Sequence, residues 1–420
     1  MKSLKDRVMP SLMRVPGYQR LVCAMALNQT GYAMAAVVVP LLIFDVTGNP
    51  TLTGLVSGLG TGALVLLSLL SGAVTDRLHA SRVLRVVALT QAIVWFVIAG
   101  LLTFEGASIW LIAGLVIFAA ALGAFDAPSE QSLIKQIVAP NDLGSANAVA
   151  HGRESAAEVL GGPFAGFLYA IGPQVAVIVQ GVAHGLASIL VPPKTLVSRN
   201  RESTEEDGEN SSSIINAAAD GFRFVFSHPG LRGITLVAAV ANIPMSAFIL
   251  LLILSFRASG SSAFIIGLIS ASFGLGVIVG SFFAGELTKR IPLGRLGALA
   301  LAFFSVGLLL LTVVNHNVVA TIVVLVIAGL PLASFNSAIG AYTAAVTPES
   351  QMGAVTTAST VPGIFLMPLG IFFAGFGFDQ WGVTTSMAIL AAVSAVATAL
   401  TFVHAPLRAI PLLSELGDQP

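Results

Sequence analysis

Along its length the chain alternates long apolar runs with short polar joints. A helix rises about 1.5 Å per residue, so a run of about 20 apolar residues reaches across the roughly 30 Å of hydrocarbon in a bilayer. Runs of that length lie near 19–43, 52–74, 84–104, 109–133, 144–170 and 173–192, and again near 231–256, 264–288, 295–314, 317–342, 354–377 and 383–404. One joint is long. Its core, RNRESTEEDGENSSS (199–213), is polar and acidic and reads as a flexible linker. The following IINAAADGFRFVFSHPG reads as a short amphipathic helix on the cytoplasmic membrane surface. The expected organisation is a six-helix bundle over 1–192, a cytoplasmic linker with its amphipathic helix over 193–230, a second six-helix bundle over 231–405, and a cytoplasmic tail over 406–420.

The two halves repeat. Phe164-Ala165-Gly166-Phe167 returns as Phe373-Ala374-Gly375-Phe376, and Gly54-Leu55-Val56-Ser57 returns as Gly267-Leu268-Ile269-Ser270. Thr75-Asp76-Arg77 aligns with Thr288-Lys289-Arg290, and Val138-x-Pro140 with Val346-x-Pro348. All fall in the same order at nearly one offset, half the chain. Two halves of even helix number and like orientation are parallel repeats about an axis along the membrane normal, with substrate bound near the midplane and transport by rocking of one half against the other. The fold class is therefore an all-α polytopic membrane protein, twelve transmembrane helices in two pseudo-symmetric six-helix bundles.

Composition and charge sharpen this. Of 420 residues 56% are hydrophobic and only 10% charged, with a mean hydropathy of +0.92. A soluble domain carries about 25% charged residues, so this chain cannot cover a water-facing surface. Its net charge is zero, which leaves no electrostatic footprint for nucleic acid. With the N-terminus inside, every Lys and Arg except Arg257 and Arg153 falls on the cytoplasmic side, so both termini are expected in the cytoplasm of a cell that carries the protein in its inner membrane. The N-terminal lead, MKSLKDRVMPSLMRVPGYQR, has no cleavage pattern and is expected to be retained. Cys23, the single cysteine, cannot form an intrachain disulfide.

The fifth run holds most of the candidate chemistry. In NAVAHGRESAAEVLGGPFAGFLY (147–169), helical spacing puts His151, Glu154 and Glu158 on one face, with Arg153 beside them. A charged residue in mid-membrane costs roughly 2.5–3.5 kcal/mol on insertion scales, a cost accepted where the group faces a bundle interior or a wet cavity. Two readings stand: a proton or substrate site, or a structural role in which Arg153 and the glutamates neutralise each other or sit at the cytoplasmic rim. For proton coupling Glu158 leads, then Glu154, with which it should titrate as a pair. His151 and Arg153 complete the set, and His184 on the sixth run is ambiguous. Asn28, Gln29, Thr30 and Tyr32 interrupt the first run near its middle, and with Asn242 and Asn336 they are candidates to line a substrate cavity, or else to hold helices together by hydrogen bonds. Gly58-Leu59-Gly60-Thr61-Gly62 lacks the Lys-Ser/Thr of a phosphate loop, and neither H-E-x-x-H nor G-x-S-x-G occurs, so no enzyme is indicated. No cofactor is expected; the energy source would be the proton gradient.

These residues bring a resemblance into view. Gly72-Ala73-Val74-Thr75-Asp76-Arg77 is similar to the front of the signature between helices two and three of major facilitator superfamily transporters, though His79, Ala80 and Ser81 stand where its later residues belong. The resemblance implies a gating latch: Asp76 facing the N-terminus of the eleventh helix, and Arg77 facing Asp126 or Glu130. Gly162-Pro163-Phe164-Ala165-Gly166 resembles the fifth-helix motif of the antiporters, with Phe167 in place of a final glycine. FDAPSEQSLIKQIVAPNDLGSANAV (125–149) and GFRFVFSHPGLRG (221–233) are similar to the branch holding macrolide-efflux proteins and the enterobactin exporter. The resemblance implies proton-coupled efflux of amphipathic small molecules (drugs, macrolides or siderophore-like compounds) by a monomer in the lipid bilayer. The alternative is proton-coupled import of a polar metabolite, which would call for polar groups at the midplane of both halves; helices seven to twelve have almost none.

Overall fold

A computed structural model describes residues 12–15, 17–104, 106–193, 211–348, 351–410 and 412, apart from the side chains at 73, 76 and 211–218. In chain order the helices are α1 (Tyr18–Thr47), α2 (Pro50–Leu78), α3 (Ala80–Leu101), α4 (Ile109–Leu122), α5 (Asp126–Ile137), α6 (Leu143–Ile171), α7 (Pro173–Leu190), α8 (Ser211–Ser227), α9 (Pro229–Ala258), α10 (Ala263–Arg290), α11 (Leu293–Val314), α12 (Val318–Gly329), α13 (Leu332–Val346), α14 (Met352–Val403) and α15 (Ala405–Arg408). No strand occurs among the described residues.

Ten helical segments among the described residues are long and apolar enough to cross a membrane. Two of the twelve expected spans need explanation. The last two are continuous as α14, but Gly382 inside it has φ 73° and ψ 176°, a backbone that a side chain would strain, and two helices meet there. The fifth, α6, is 29 residues long, but Arg153, Glu154 and Glu158 lower the apolarity of its middle. The fourth span is itself broken: α4 passes through a 3₁₀ turn, Gly123–Phe125, into α5. The tenth divides likewise into α12 and α13.

The chain forms two compact units. Unit 1 comprises Met1–Gly48, Leu59–Gly208 and Ser262–Gly267; unit 2 comprises Asn49–Gly58, Glu209–Ser261 and Leu268–Pro420. In unit 1, Tyr18, Leu21, Leu84, Leu133, Ala146 and Ala150 bury one cluster from α1, α3, α5 and α6. The C-terminal end of α7 gathers donors onto its free carbonyls: Arg20 Nη2 donates to Ile189 O at 3.2 Å, Arg85 Nη2 to Val191 O at 3.0 Å, and Ser81 Oγ to Pro192 O. Two cations at a helix C-terminus are favourably placed.

In unit 2, Leu231, Leu296, Phe335, Val355 and Ala397 make a second cluster, and Val225 of α8 is buried in it. The backbone of α8 at Gly221 lies so close to α14 that a Cβ there would come within 2.6 Å of Ala354 O. The helix expected to be amphipathic packs one side against unit 2, with Val225 in the buried cluster and Phe222 and Phe224 partly buried against it. Of the linker core expected at 199–213, residues 199–210 lie outside the described residues.

The internal repeats fall on two equivalent helix crossings. In unit 2, a Cβ on Gly375 of α14 would overlap the Pro50 carbonyl oxygen of α2, and one on Gly54 would lie 2.8 Å from Gly375 Cα. In unit 1, a Cβ on Gly166 of α6 would overlap the Ala263 carbonyl oxygen of α10, and one on Gly267 would overlap Gly162 O. Pro50 and Ala263 are counterparts at the offset of the Gly54/Gly267 repeat, and Gly375 and Gly166 at that of the Phe-Ala-Gly-Phe repeat. Small residues let the two backbones touch in both places.

Candidate functional site

The charged turn of α6 resolves into one buried pair and an exposed face. Arg153 Nη1 donates to Glu130 Oε1 at 2.7 Å and Nη2 to Oε2 at 2.9 Å, a two-pronged ion pair between α6 and α5 with side chains only 9% and 7% exposed. The planar guanidinium fork matches the carboxylate geometry. Arg153 also lies 3.8 Å from Glu154 Oε1, and His151 Nδ1 is 3.3 Å from Glu154 Oε2, both at half-exposed or exposed positions. Glu158, two turns past Glu154's first contact, is exposed and makes no ion pair among the described residues.

The latch residues are distributed differently from the expected pairing. The side chain of Asp76 lies outside the described part of the structure. Arg77 is exposed and forms no ion pair among the described residues, and Glu130 takes Arg153 as its partner. Where α2 meets α5, the described contact is between hydroxyls: Thr75 Oγ1 lies 3.4 Å from Ser129 Oγ. Asp126, one turn before Glu130, is 7% exposed.

Asp126 belongs to a different group. Its carboxyl lies beside Asn28 and Tyr32 of α1. Asn28, 2% exposed, has its Oδ1 2.6 Å from Nδ1 of the fully buried His184 on α7. Tyr32 sets the edge of its ring against His184, centroids 5.3 Å apart at 71°, and its hydroxyl accepts from Gln91 Nε2 of α3. Gln180 Nε2 donates to Gly31 O at 3.0 Å. Gly31 is required beside this cluster, since a Cβ there would sit 2.6 Å from His184 Nε2. Gln91 and Gln180 escaped the sequence reading. A signal was present: Asn28 and Tyr32 on α1, and Gln180 and His184 on α7, are each spaced i, i+4 and so share a face.

A cavity of about 620 Å³ opens on the other side of Arg153. Ala26 and Thr30 of α1, Ala157, Leu160, Gly161, Pro163, Phe164 and Phe167 of α6, and Phe264 of α10 line it, with Arg153 as its one charged residue. Gly162, Pro163 and Gly166 thus do two things: they carry the backbone crossing with α10, and Pro163 lines the cavity wall. Of the other cavity candidates, Gln29 is half-buried on α1. Asn242, in unit 2, is half-buried with its Nδ2 against Gly363, and Asn336 is exposed.

The chain belongs to the Major Facilitator Superfamily: the family model matches residues 21–264 and again 234–418, which makes this all-α polytopic protein a membrane transporter and not an enzyme. No curated protein sequence matches it. Among solved structures, it is similar to a bacterial homolog of the human lysosomal transporter Spinster, in an inward-facing, unoccupied conformation, at 16% identity and a TM-score of 0.70, over 92% of this chain and 95% of that one. The nucleoside transporter NupG is similar at 13% identity and 0.68, over 94% and 99%. A D-xylose-proton symporter is similar at 11% identity and 0.67, over 94% and 98%. At such identities the shared property is the fold. The major facilitator architecture expected from the sequence is therefore shown.

Proposed function

We propose that the protein is a proton-coupled exporter of amphipathic small molecules, a monomer of the inner membrane with both termini cytoplasmic, working by alternating access in the manner of the macrolide-efflux and enterobactin-exporter branch. The observation that carries this reading is the cavity on α6: about 620 Å³, walled by Phe164, Phe167, Phe264, Leu160 and Pro163, with Arg153 as a single charged anchor. Small-molecule sites are largely apolar with a few placed polar groups. A polar metabolite would leave its hydroxyls unpaired against these rings, at a cost of about 1–3 kcal/mol each. An amphipathic molecule buries its apolar body there and directs a hydrogen-bond acceptor or anionic group to Arg153.

The coupling group on α6 is Glu158, which has no ion-pair partner among the described residues, whereas Glu154 is held by His151 and Arg153. The test is a panel of amphipathic compounds and polar metabolites added to everted vesicles under an imposed pH gradient, with dye dequenching as readout. Amphipathic compounds are expected to discharge the gradient. A response confined to polar metabolites would replace this reading with import. Glu158→Gln is expected to abolish proton-driven efflux with the protein still folded in the membrane, and retained coupling removes Glu158 from the mechanism. Leu160→Trp, at an exposed position on the cavity wall, is expected to weaken transport of the larger compounds without a change in thermal stability; unchanged transport of every compound places the cargo elsewhere.

A further inference from the structure

Polar side chains are expensive inside a membrane-spanning bundle unless their atoms are paired. The cluster around Asn28 is well buried and incompletely paired. Both carboxyl oxygens of Asp126, Nε2 of His184, and Oε1 of Gln91 and of Gln180 have no hydrogen-bond partner among the described residues. Three helices besides its own converge on Asp126 or its neighbours. From α1 come Asn28 and Tyr32, from α3 the uncharged Gln91, and from α7 Gln180 and His184. On its own helix the nearest charge is Glu130, already neutralised by Arg153 of α6. No cation among the described residues is paired with Asp126. A carboxylate so placed has no counter-ion, and burying one alone is costly enough that such groups take up a proton.

We propose that Asp126 is a proton-binding group of the transport cycle, held inside the N-terminal bundle and positioned by Asn28, Tyr32 and His184. This rests on the proton-coupled reading given above and adds to it a second acid, away from the exposed face of α6. In the loaded state Asp126 is a neutral carboxylic acid. In the unloading step its O–H bond breaks, the proton passes to a water molecule as hydronium, and the electron pair stays on the carboxylate. The anion then accepts hydrogen bonds from the Tyr32 hydroxyl and the Asn28 amide nitrogen. His184 orients that amide: its Nδ1–H donates to Asn28 Oδ1, which leaves the Asn28 NH₂ free to face the acid. One turn along α5, Glu130 holds Arg153 at the wall of the cargo cavity, so the proton site and the cavity are joined through a single ion pair. None of this was visible as a sequence motif, since the six residues of the cluster come from four helices.

The test uses the full-length protein in proteoliposomes and has two arms. In the first, pH-difference infrared spectra are recorded for the wild type, Asp126→Asn and Glu158→Gln. A protonated-carboxyl C=O band that titrates with pH is expected in the wild type and in Glu158→Gln, and is expected to be lost in Asp126→Asn. Asn28→Ala and Tyr32→Phe are expected to keep the band but to displace its pH profile by about one unit, which a merely structural role would not do. In the second arm, accumulation of radiolabelled taurocholate, an amphipathic anion suited to the Arg153 anchor, is driven by an imposed pH gradient. Asp126→Asn, a neutral isostere that copies the protonated state, is expected to lose gradient-driven accumulation. An Asp126→Asn band equal to wild type, or unimpaired gradient-driven accumulation, overturns the proposal and leaves the exporter reading intact. Wild-type protein that moves no taurocholate on a gradient but shows the Asp126 band defeats the choice of cargo and upholds the proton site.

Discussion

Glu130→Gln is expected to destabilise the protein by about 3–5 kcal/mol, more than Arg153→Leu at the other end of the same pair. The reason is that the two orphans differ. An arginine cannot shed its proton at any working pH, so the mutant keeps a full positive charge at a site with 9% exposure. Glu130 left without Arg153 can take up a proton and become neutral, which caps its cost. Glu154, 3.8 Å from Arg153, offers partial relief in Glu130→Gln, but at 40% exposure it is a weaker partner than a two-pronged buried carboxylate. Replacing both members together, as Glu130→Leu with Arg153→Leu, is expected to restore stability to within about 1–2 kcal/mol of wild type, since a buried ion pair is frequently no better than a well-packed apolar one. Thermal unfolding in detergent, followed by tryptophan fluorescence, gives the ranking. Transport separates packing from function: the double variant should be folded yet fail to move amphipathic cargo, because the cavity has lost its charged anchor. A double variant as unstable as Glu130→Gln would show that the pair is not what holds α5 to α6.

The same pair shows how far the sequence could be read. The apolar runs mark the spans, because twenty apolar residues have few other destinations, and the repeats mark two like halves; that the repeated glycines sit at counterpart crossings is visible only in the fold. Partner choice was harder. Glu130, Arg153 and Arg77 were each singled out, and spacing along a helix says which face a residue occupies but not which neighbouring helix faces it. The family resemblance implies Asp126 or Glu130 as the partner of Arg77, while the fold brings Arg153 to Glu130 and leaves Arg77 in the open. The break at Gly123–Phe125 was equally hidden, since GAF carries no proline and continues an apolar run. Asp126 follows directly on that break, and a Cβ on Gly123 would lie 3.0 Å from the Tyr32 ring, so the irregular turn helps to seat the polar cluster. His184 drew notice as a lone histidine. Gln180 carries a signal only through its i, i+4 spacing to His184, and Gln91 carries none, because a glutamine alone in a span has no distinctive spacing until the helices beside it are known.

Gly166→Val and Gly375→Val are expected to be among the most damaging single substitutions in the chain, and to be damaging to a like degree. In each case the added side chain meets a carbonyl oxygen of a neighbouring helix, Ala263 for Gly166 and Pro50 for Gly375, and a backbone cannot swing aside as a side chain does. Overpacking of a side-chain core costs about 1–3 kcal/mol. Here whole helices must separate, so the cost should reach or exceed the top of that range. Glycines of similar helical setting but open surroundings provide the contrast. Gly114 in α4 and Gly340 in α13 have no neighbour within 4 Å of a built Cβ. Alanine at either is expected to be neutral or to stabilise by up to about 1 kcal/mol, the helix-propensity difference between the two residues. Folded yield in the membrane and unfolding temperature in detergent decide the matter. Equal tolerance of valine at positions 166 and 114 would mean that the close crossing of α6 and α10 does not form. Tolerance at 166 together with collapse at 375 would mean that the two crossings, matched in sequence, are not matched in energy. If both collapse and both alanine controls hold, the repeat is conserved in packing because each half needs one place where two backbones meet without side chains between them.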